Sequence, residues 1–165
     1  MNNGLKRGIC LCILENDDEF LLIRRGKTKT DLEELGGYYI PIGGKIDPYE
    51  TPEEAVTREV FEETGIKIKT PKLLGILTET SPLPKYNNIV YFFYERILKQ
   101  PLKDCEEGFF EWIKIADIGS IPTPQIDGII YQYFERKEKF IIDATYDDKL
   151  NLLTAYSYLE DKKIR

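Results

Sequence analysis

The sequence predicts a single α/β (α+β) domain, spanning residues 1–165, in which β-strands are combined with two amphipathic helices. Three observations support this prediction. The chain has 165 residues, of which 42% are hydrophobic and 32% charged, enough for one sizeable core. Short apolar runs are separated by turn residues, as in the strands of a sheet. Two longer segments, 51–65 and 125–137, repeat their apolar residues at helical spacing.

The N-terminal part of the chain predicts a β-hairpin. Its two apolar runs, 8–14 and 20–23, flank the turn residues Asn16-Asp17-Asp18. A helical turn is then predicted over 31–35, and one short strand over 38–42 leads into Gly43-Gly44.

The rest of the chain predicts further strands around the second helix. A proline-containing loop is predicted over 81–88, between the strands within 72–80 and 89–98. A helical turn is expected at 116–118. Residues 161–163 suggest a solvated tail. The predicted strands lie within 72–80, 89–98, 110–112, 140–146 and 150–156.

Charge and composition exclude several classes of function. The net charge of −6 argues against binding to a nucleic-acid polymer or to a membrane surface. The chain contains no histidine, which excludes Ser-His or Cys-His nucleophiles and a histidine-ligated zinc site. Its three cysteines, Cys10, Cys12 and Cys105, show no disulfide rhythm. With no signal peptide or long apolar run in view, a cytoplasmic location is expected.

The first predicted helix carries an unusual group of charges. Thr51 and Glu54 form a capping box with Pro52 at the first helical position, and Gly65 ends the helix. Three glutamates recur within an arc of about 100° on one face, where like charges repel and the last turn disfavours anions. A divalent cation such as Mg²⁺, or alternatively Mn²⁺, removes this conflict, whereas an ordinary solvated acidic helix is the plainer interpretation. The glutamates are Glu59, Glu62 and Glu63.

The spacing of the whole stretch favours the first interpretation. Gly44, five residues, Glu50, seven residues and then the run from Arg58 to Ile66 match the Nudix box at every fixed position. The chain therefore resembles a Nudix hydrolase. The resemblance implies a mixed β-sheet sandwiched between helices (an α/β/α sandwich) and metal-assisted cleavage of a diphosphate linkage.

The resemblance also implies roles for particular residues. Arg58 is expected to clamp and orient the acidic cluster, and Glu107, with Glu106 as its rival, is expected to be a further ligand or the general base. The assignment of the base among Glu62, Glu63 and Glu107 stays open. The expected metal ligands are the carbonyl group of Gly44 and the carboxylates of Glu59, Glu62, Glu63 and Glu107.

Residues outside the box bear on the substrate. Lys45 and a basic run that starts at Arg24 are candidates for binding phosphate. The region 105–156 resembles the MutT-type branch, which cleaves oxidised purine nucleoside triphosphates, and there an Asp at the helix start reads the purine edge. The matching residue is Asp127, for which stabilising the helix N-terminus is an equal alternative.

The predicted function is thus a Mg²⁺-dependent pyrophosphatase for an 8-oxo-dGTP-type nucleotide, releasing nucleoside monophosphate and pyrophosphate. ADP-ribose, nucleotide sugars and dinucleoside polyphosphates are alternative substrates, because the box handles only the diphosphate. A non-catalytic Nudix-fold binding or regulatory module is the alternative from another class. The expected partner is a nucleotide or a similar small molecule, and a homodimer is left open.

Overall fold

The computed structural model describes residues 5–26 and 35–165. Within them the chain forms two α-helices, α1 (Pro52–Thr64) and α2 (Gln125–Arg136). The strands are β1 (Arg7–Asn16), β2 (Glu19–Arg25), β3 (Tyr39–Ile40), β4 (Ile42–Lys45), β5 (Lys72–Thr80), β6 (Asn88–Arg96), β7 (Gly108–Lys114), β8 (Phe140–Tyr146), β9 (Leu152–Ser157) and β10 (Lys162–Lys163).

These strands join in one mixed sheet. Its order is β10-β9-β8-β5-β6-β1-β2-β3, while β4 pairs with β1 and β7 pairs with β2. The β1–β6 and β5–β8 pairs are parallel, and the other pairs are antiparallel. The predicted hairpin is confirmed, since β1 and β2 pair antiparallel around the turn at residues 17 and 18.

A helix covers each face of the sheet. The apolar side of α1 packs with alternate residues of β1 and β2, among them Cys10, Cys12 and Leu14, in one hydrophobic core. The apolar side of α2 packs in a second core that contains Phe92 and Phe140. Both cores arise because successive strand residues point to opposite faces. The predicted Nudix fold, a mixed sheet between helices, is confirmed.

Two predicted elements differ from the structure. The single strand over 38–42 is interrupted at Pro41, which has no N–H for a ladder bond, so β3 pairs with β2 and β4 pairs with β1. Gly43 and Gly44 consequently belong to a strand rather than to a turn. The C-terminal tail is also paired, because residues 162 and 163 hydrogen-bond with β9 as β10.

Two further observations complete the fold. Of the helical turn predicted over 31–35, residues 31–34 lie outside the described residues, while Leu35 begins a turn. In the described part of the chain, neither helix has the length and apolarity needed to cross a membrane.

Candidate functional site

The local sequence of α1 sets the direction of its acidic face. Thr51 and Glu54 form the predicted capping box, with hydrogen bonds of 3.2 Å from the Glu54 amide to Thr51 Oγ1 and 2.9 Å from the Thr51 amide to Glu54 Oε2. The helix ends at Gly65, whose φ of 78° suits glycine. Ala55, Val56 and Val60 are buried against the sheet, so the glutamates on the other face lie beside β4.

Two glycines of β4 allow close approach, Gly43 to the backbone of β1 and Gly44 to α1. A Cβ at Gly43 would lie 2.1 Å from the Cys10 carbonyl oxygen, and Gly43 has a φ of +144°. A Cβ at Gly44 would lie 2.8 Å from both carboxylate oxygens of Glu59. The Gly44 carbonyl oxygen accepts a long hydrogen bond, 3.6 Å, from the Cys10 thiol. The backbone of β4 and the Glu59 carboxylate are therefore close neighbours.

Arg58 connects the acidic residues of the helix to the loop before it. Its Nε lies 2.6 Å from Glu50 Oε1 and its Nη2 lies 2.8 Å from Glu50 Oε2, a bidentate pair. Its Nη1 lies 2.7 Å from Glu59 Oε1 and 3.4 Å from Glu62 Oε2. Nη2 also donates to the Lys45 carbonyl oxygen at 3.2 Å. This guanidinium thus positions three glutamates and the end of β4.

Glu63 has a different environment from the glutamates that Arg58 holds. Its Oε2 is shielded from solvent and has no hydrogen-bond partner within the described residues. Burial, followed by the negative charges of Glu107 and Glu59, raises the pKa of the Glu63 carboxyl to about 8. The Glu63 carboxyl thus lies near other acids and has one oxygen without a partner. Burying such an oxygen costs free energy unless a ligand binds it.

Glu107 approaches this cluster from the segment before β7. Its carboxylate forms an ion pair with Arg25, whose side chain is 5% exposed, and the Gly26 amide donates to the Glu107 carbonyl oxygen. Glu106 is exposed. The structure therefore brings Glu107 next to Glu63.

The basic run near Arg24 divides between the two faces of β2. Arg24 is exposed, with its guanidinium 5.7 Å from the centre of the Tyr39 ring, whereas Arg25 is buried against Glu107. Arg25 belongs to the basic run that was predicted to bind phosphate, but it pairs with Glu107. The period-2 alternation of a strand separates the two residues, but it does not show which of them faces the acids. Residues 27 and 29 of this run lie outside the described residues.

Glu62 and Lys45 lie at the rim of the cluster. The Glu62 side chain is 59% exposed and contacts only the edge of Arg58, at 3.4 Å. The side chain of Lys45 is exposed, at the end of β4. Both side chains are free to turn towards a bound ligand.

The donor set suits a hard divalent cation. Glu63 interacts electrostatically with both Glu107 and Glu59, and the backbone of Gly44 lies beside the Glu59 carboxylate. Carboxylate and carbonyl oxygens are the ligands that Mg²⁺ prefers. Among the residues that the structure describes, no three His, Cys, Asp or Glu side chains converge as a ready metal site. The carboxylates repel one another, and Arg58 and Arg25 hold two of them, Glu59 and Glu107, in ion pairs, so the carboxylates do not converge.

Asp127 lies on the other face of the sheet, in the first turn of α2. Its side chain is buried, and burial together with the charge of Glu79 raises the pKa of its carboxyl to about 8. No side-chain cap precedes α2, whose N-cap residue is Pro124. Asp127 was predicted to be a candidate residue, whereas its acidic neighbour Glu79 lies in β5 with no motif around it.

Comparison with known proteins gives a consistent result. The model of the NUDIX domain family matches residues 4–134. The uncharacterized Nudix hydrolase YvcI of Bacillus subtilis is 27% identical over 148 residues, which cover 87% of this chain and 89% of that protein. The human diphosphoinositol polyphosphate phosphohydrolase 3-alpha is 33% identical over 118 residues, 68% of this chain. The match spans 65% of that relative's length.

Solved structures show the same architecture. The crystal structure of a mutator MutT protein from Bacillus halodurans superposes with a TM-score of 0.80 and 24% sequence identity. The superposition covers 93% of this chain and 98% of that one. At this identity the likeness establishes the fold.

Proposed function

Because the chain belongs to the Nudix family and is a Nudix hydrolase, we propose that its substrate is a nucleoside triphosphate with an oxidised purine base, of the 8-oxo-dGTP type. The products are the nucleoside monophosphate and pyrophosphate. The diphosphate chemistry is supported by Glu63, which interacts with Glu59 and Glu107 and whose shielded oxygen has no partner within the described residues. The choice of a purine base is supported by Asp127, which is buried in the first turn of α2.

Each residue of the cluster has a task in this reaction. Glu59, Glu62, Glu63, Glu107 and the Gly44 carbonyl would hold Mg²⁺, which supplies neutralisation of phosphate charge and acidification of water when bound. A carboxylate of the cluster accepts the water proton while the water oxygen bonds to phosphorus. The bond to the bridging oxygen between the α- and β-phosphoryl groups breaks, and pyrophosphate leaves. Arg58 and Arg25 fix the carboxylates in place.

The two faces of the sheet give this substrate two separate contacts. The acidic cluster beside α1 handles the phosphates, and Asp127 at the start of α2 is available for a hydrogen-bonding base edge. A diphosphoinositol polyphosphate, which the 33% identical relatives are named for, fits less well. Such a heavily phosphorylated ring needs several unpaired cations. Among the described residues near the acidic cluster, Arg58 and Arg25 are engaged with carboxylates, and Arg24 and Lys45 are the exposed cations in a chain of net charge −6.

A substrate panel tests this proposal. The protein is incubated with Mg²⁺ and, in separate reactions, 8-oxo-dGTP, dGTP, ADP-ribose, a nucleotide sugar, a dinucleoside polyphosphate or a diphosphoinositol polyphosphate. Released pyrophosphate, phosphate and nucleoside monophosphate are measured. We expect 8-oxo-dGTP to be the best substrate, with pyrophosphate released and turnover abolished by EDTA. Activity confined to any other member of the panel would reject the proposed substrate. If members of the panel bind but none is hydrolysed, the protein is a regulatory module.

A further inference from the structure

A buried thiol contacts the strand that carries the Gly44 carbonyl. Cys10 of β1 lies in the core under α1 with no exposed surface. Its Sγ donates the hydrogen bond of 3.6 Å that the Gly44 carbonyl oxygen accepts. The proposed function assigns this same oxygen to Mg²⁺, so Cys10 contacts a ligand atom of the metal site without belonging to the acidic cluster.

The Gly44 carbonyl lies in a part of the backbone that its own residues do not stiffen. A Cβ at Gly44 would lie 2.8 Å from the Glu59 carboxylate oxygens, so the close approach of α1 requires glycine at this position. Gly43 before it has a φ of +144°, a conformation that glycine adopts readily. Because glycine restricts its backbone least, the direction of the carbonyl has to be set by contacts with other residues.

Side chains from two other elements supply these contacts at the end of β4. Cys10 is the partner of Gly44 in the antiparallel pair of β1 and β4, and its thiol reaches the Gly44 carbonyl oxygen. The carbonyl oxygen of the following residue, Lys45, accepts a hydrogen bond of 3.2 Å from Arg58 Nη2. Two successive carbonyl groups are thus held by side-chain donors, one from the sheet and one from α1.

Cys12 provides a comparison within the same strand. It is as fully buried as Cys10, belongs to the same core and is the partner of Ile42 in β4. Within the described residues its thiol donates no hydrogen bond to β4. Glu59 interacts electrostatically with Cys10, whereas Glu95 of β6 is the carboxylate that interacts with Cys12. The two thiols therefore fill the core alike, and Cys10 alone of the two contacts the site.

We propose that Cys10 is a positioning residue of the metal site, whose thiol fixes the direction of the Gly44 carbonyl. The proposal rests on the proposed function, because it takes that carbonyl as a ligand of Mg²⁺. A ligand held in its binding direction beforehand loses less conformational freedom when the cation binds. Replacing a residue that orients a metal ligand typically costs about 10–100-fold in metal affinity. Because a thiol is a weak donor, we expect an effect at the lower end of this range.

The test measures metal binding without substrate. Binding of Mn²⁺ is followed by electron paramagnetic resonance of the free ion for wild type, Cys10→Ala, Cys10→Ser and Cys12→Ala. Cys10→Ala should bind Mn²⁺ about tenfold more weakly than wild type, because it has no donor for the carbonyl. Cys10→Ser, which keeps a hydroxyl donor, should stay within about threefold of wild type.

Cys12→Ala is the matched control for lost packing. It removes the same sulfur atom from the same core, so both alanine variants should lower the melting temperature to a similar extent. Cys12→Ala should nevertheless bind Mn²⁺ with wild-type affinity. A difference in affinity between the two alanine variants therefore reports the contact with Gly44 and not the cavity.

The Mg²⁺ dependence of pyrophosphate release gives a second, kinetic readout. For Cys10→Ala, the Mg²⁺ concentration at half-maximal rate should rise about tenfold, and kcat at saturating Mg²⁺ should recover to near the wild-type value. A kcat that stays low at every Mg²⁺ concentration would indicate a general structural role and would overturn the proposal.

The outcomes separate the role of Cys10 from the proposed function. Equal Mn²⁺ affinities for Cys10→Ala and Cys12→Ala would reject the positioning role, while pyrophosphate release from 8-oxo-dGTP would still support the proposed function. A Cys10→Ser variant as weak as Cys10→Ala would also reject it, since the donor would then not matter. If the expected series is found but another member of the panel is hydrolysed, the positioning role stands and the substrate is wrong. A wild type that binds no Mn²⁺ would overturn both.

Discussion

The two faces of the sheet give their carboxyls different neighbours. Beside α1, Glu59 and Glu107 each have an arginine partner, Arg58 and Arg25 respectively. Beside α2, Asp127 has another acid, Glu79, as its neighbour, and burial favours its neutral form. A cluster of ionised oxygens attracts a metal ion, whereas a neutral carboxyl can both donate and accept hydrogen bonds. Under the proposed function, this difference would give the phosphate chemistry to the α1 face and the hydrogen bonding of the base to the α2 face.

Glu63 lies on the α1 face of the sheet, and its shielded oxygen has no hydrogen-bond partner within the described residues. Replacing it by Gln removes one ligand charge while retaining size. We expect Glu63→Gln to lower kcat about 10²–10⁴-fold at saturating Mg²⁺, the range for loss of a group that takes part in the chemical step. The melting temperature should stay the same or rise, because a buried acid is removed. Steady-state pyrophosphate release and calorimetry measure the two quantities.

Glu53→Gln is the matched control for this variant. Glu53 is an exposed glutamate in the first turn of the same helix, and its substitution should leave kcat at the wild-type level. A near-normal rate for Glu63→Gln would remove Glu63 from the catalytic cluster and erase the proposed contrast between the faces.

Substitution of Arg58 tests whether the acidic residues beside α1 depend on this arginine. It contacts Glu50, Glu59 and Glu62 with a side chain that is 28% exposed. Arg58→Ala should lower the free energy of unfolding by about 2 kcal/mol, since hydrogen bonds to charged groups are lost and Glu59 stays partly buried. Arg58→Lys should recover about half of this loss, because it keeps the charge without the planar fork. Urea unfolding monitored by circular dichroism measures both effects.

The comparison for Arg58 is Arg136→Ala. Arg136 forms an exposed ion pair with Glu138 on the other helix, where such pairs contribute less than about 1 kcal/mol. Equal losses for Arg58→Ala and Arg136→Ala would mean that the Arg58 network is an ordinary surface arrangement.

The parts of the site that depend on neighbouring residues in the sequence could be predicted. The capping box of α1, its glycine end and the spacing of Glu59, Glu62 and Glu63 follow from helical geometry alone. The hairpin of β1 and β2 follows from alternation and a turn. These interactions join residues that are at most four positions apart within a helix or one turn apart in a hairpin.

The parts that depend on distant pairings could not be predicted. Arg25, rather than Arg24, meets Glu107 because β2 pairs with β7 across more than 80 residues, which determines the inward face. Glu79 has no motif, and its electrostatic interaction with Asp127 depends on the core that α2 shares with β5 and β8. The path of β4 also depends on β1, since Pro41 moves the chain from one strand partner to the other.

The buried carboxyl of Asp127 beside α2 is tested through the pH dependence of the free energy of unfolding. The pKa of Asp127 is about 8 in the folded protein and about 3.9 in an unfolded chain. Between these values the folded state binds more protons, so the free energy of unfolding falls as pH rises from about 4 to about 8. The slope from this group reaches about 1.4 kcal/mol per pH unit. Asp127→Asn should remove this contribution, and Asp117→Asn, an exposed control, should not.

The measurement is urea unfolding of wild type and variant at several pH values within this window. Glu79 on β5 and the tyrosines Tyr131 and Tyr146 face Asp127, and Glu63 also titrates with a raised pKa, but all four are present in both proteins. The difference between wild type and Asp127→Asn therefore isolates the Asp127 carboxyl and its coupling to these groups. A difference that stays constant from pH 5 to pH 8 would show that Asp127 is ionised at neutral pH. In that case both faces would hold charged carboxylates, and the division between phosphate chemistry on one face and hydrogen bonding of the base on the other would be wrong.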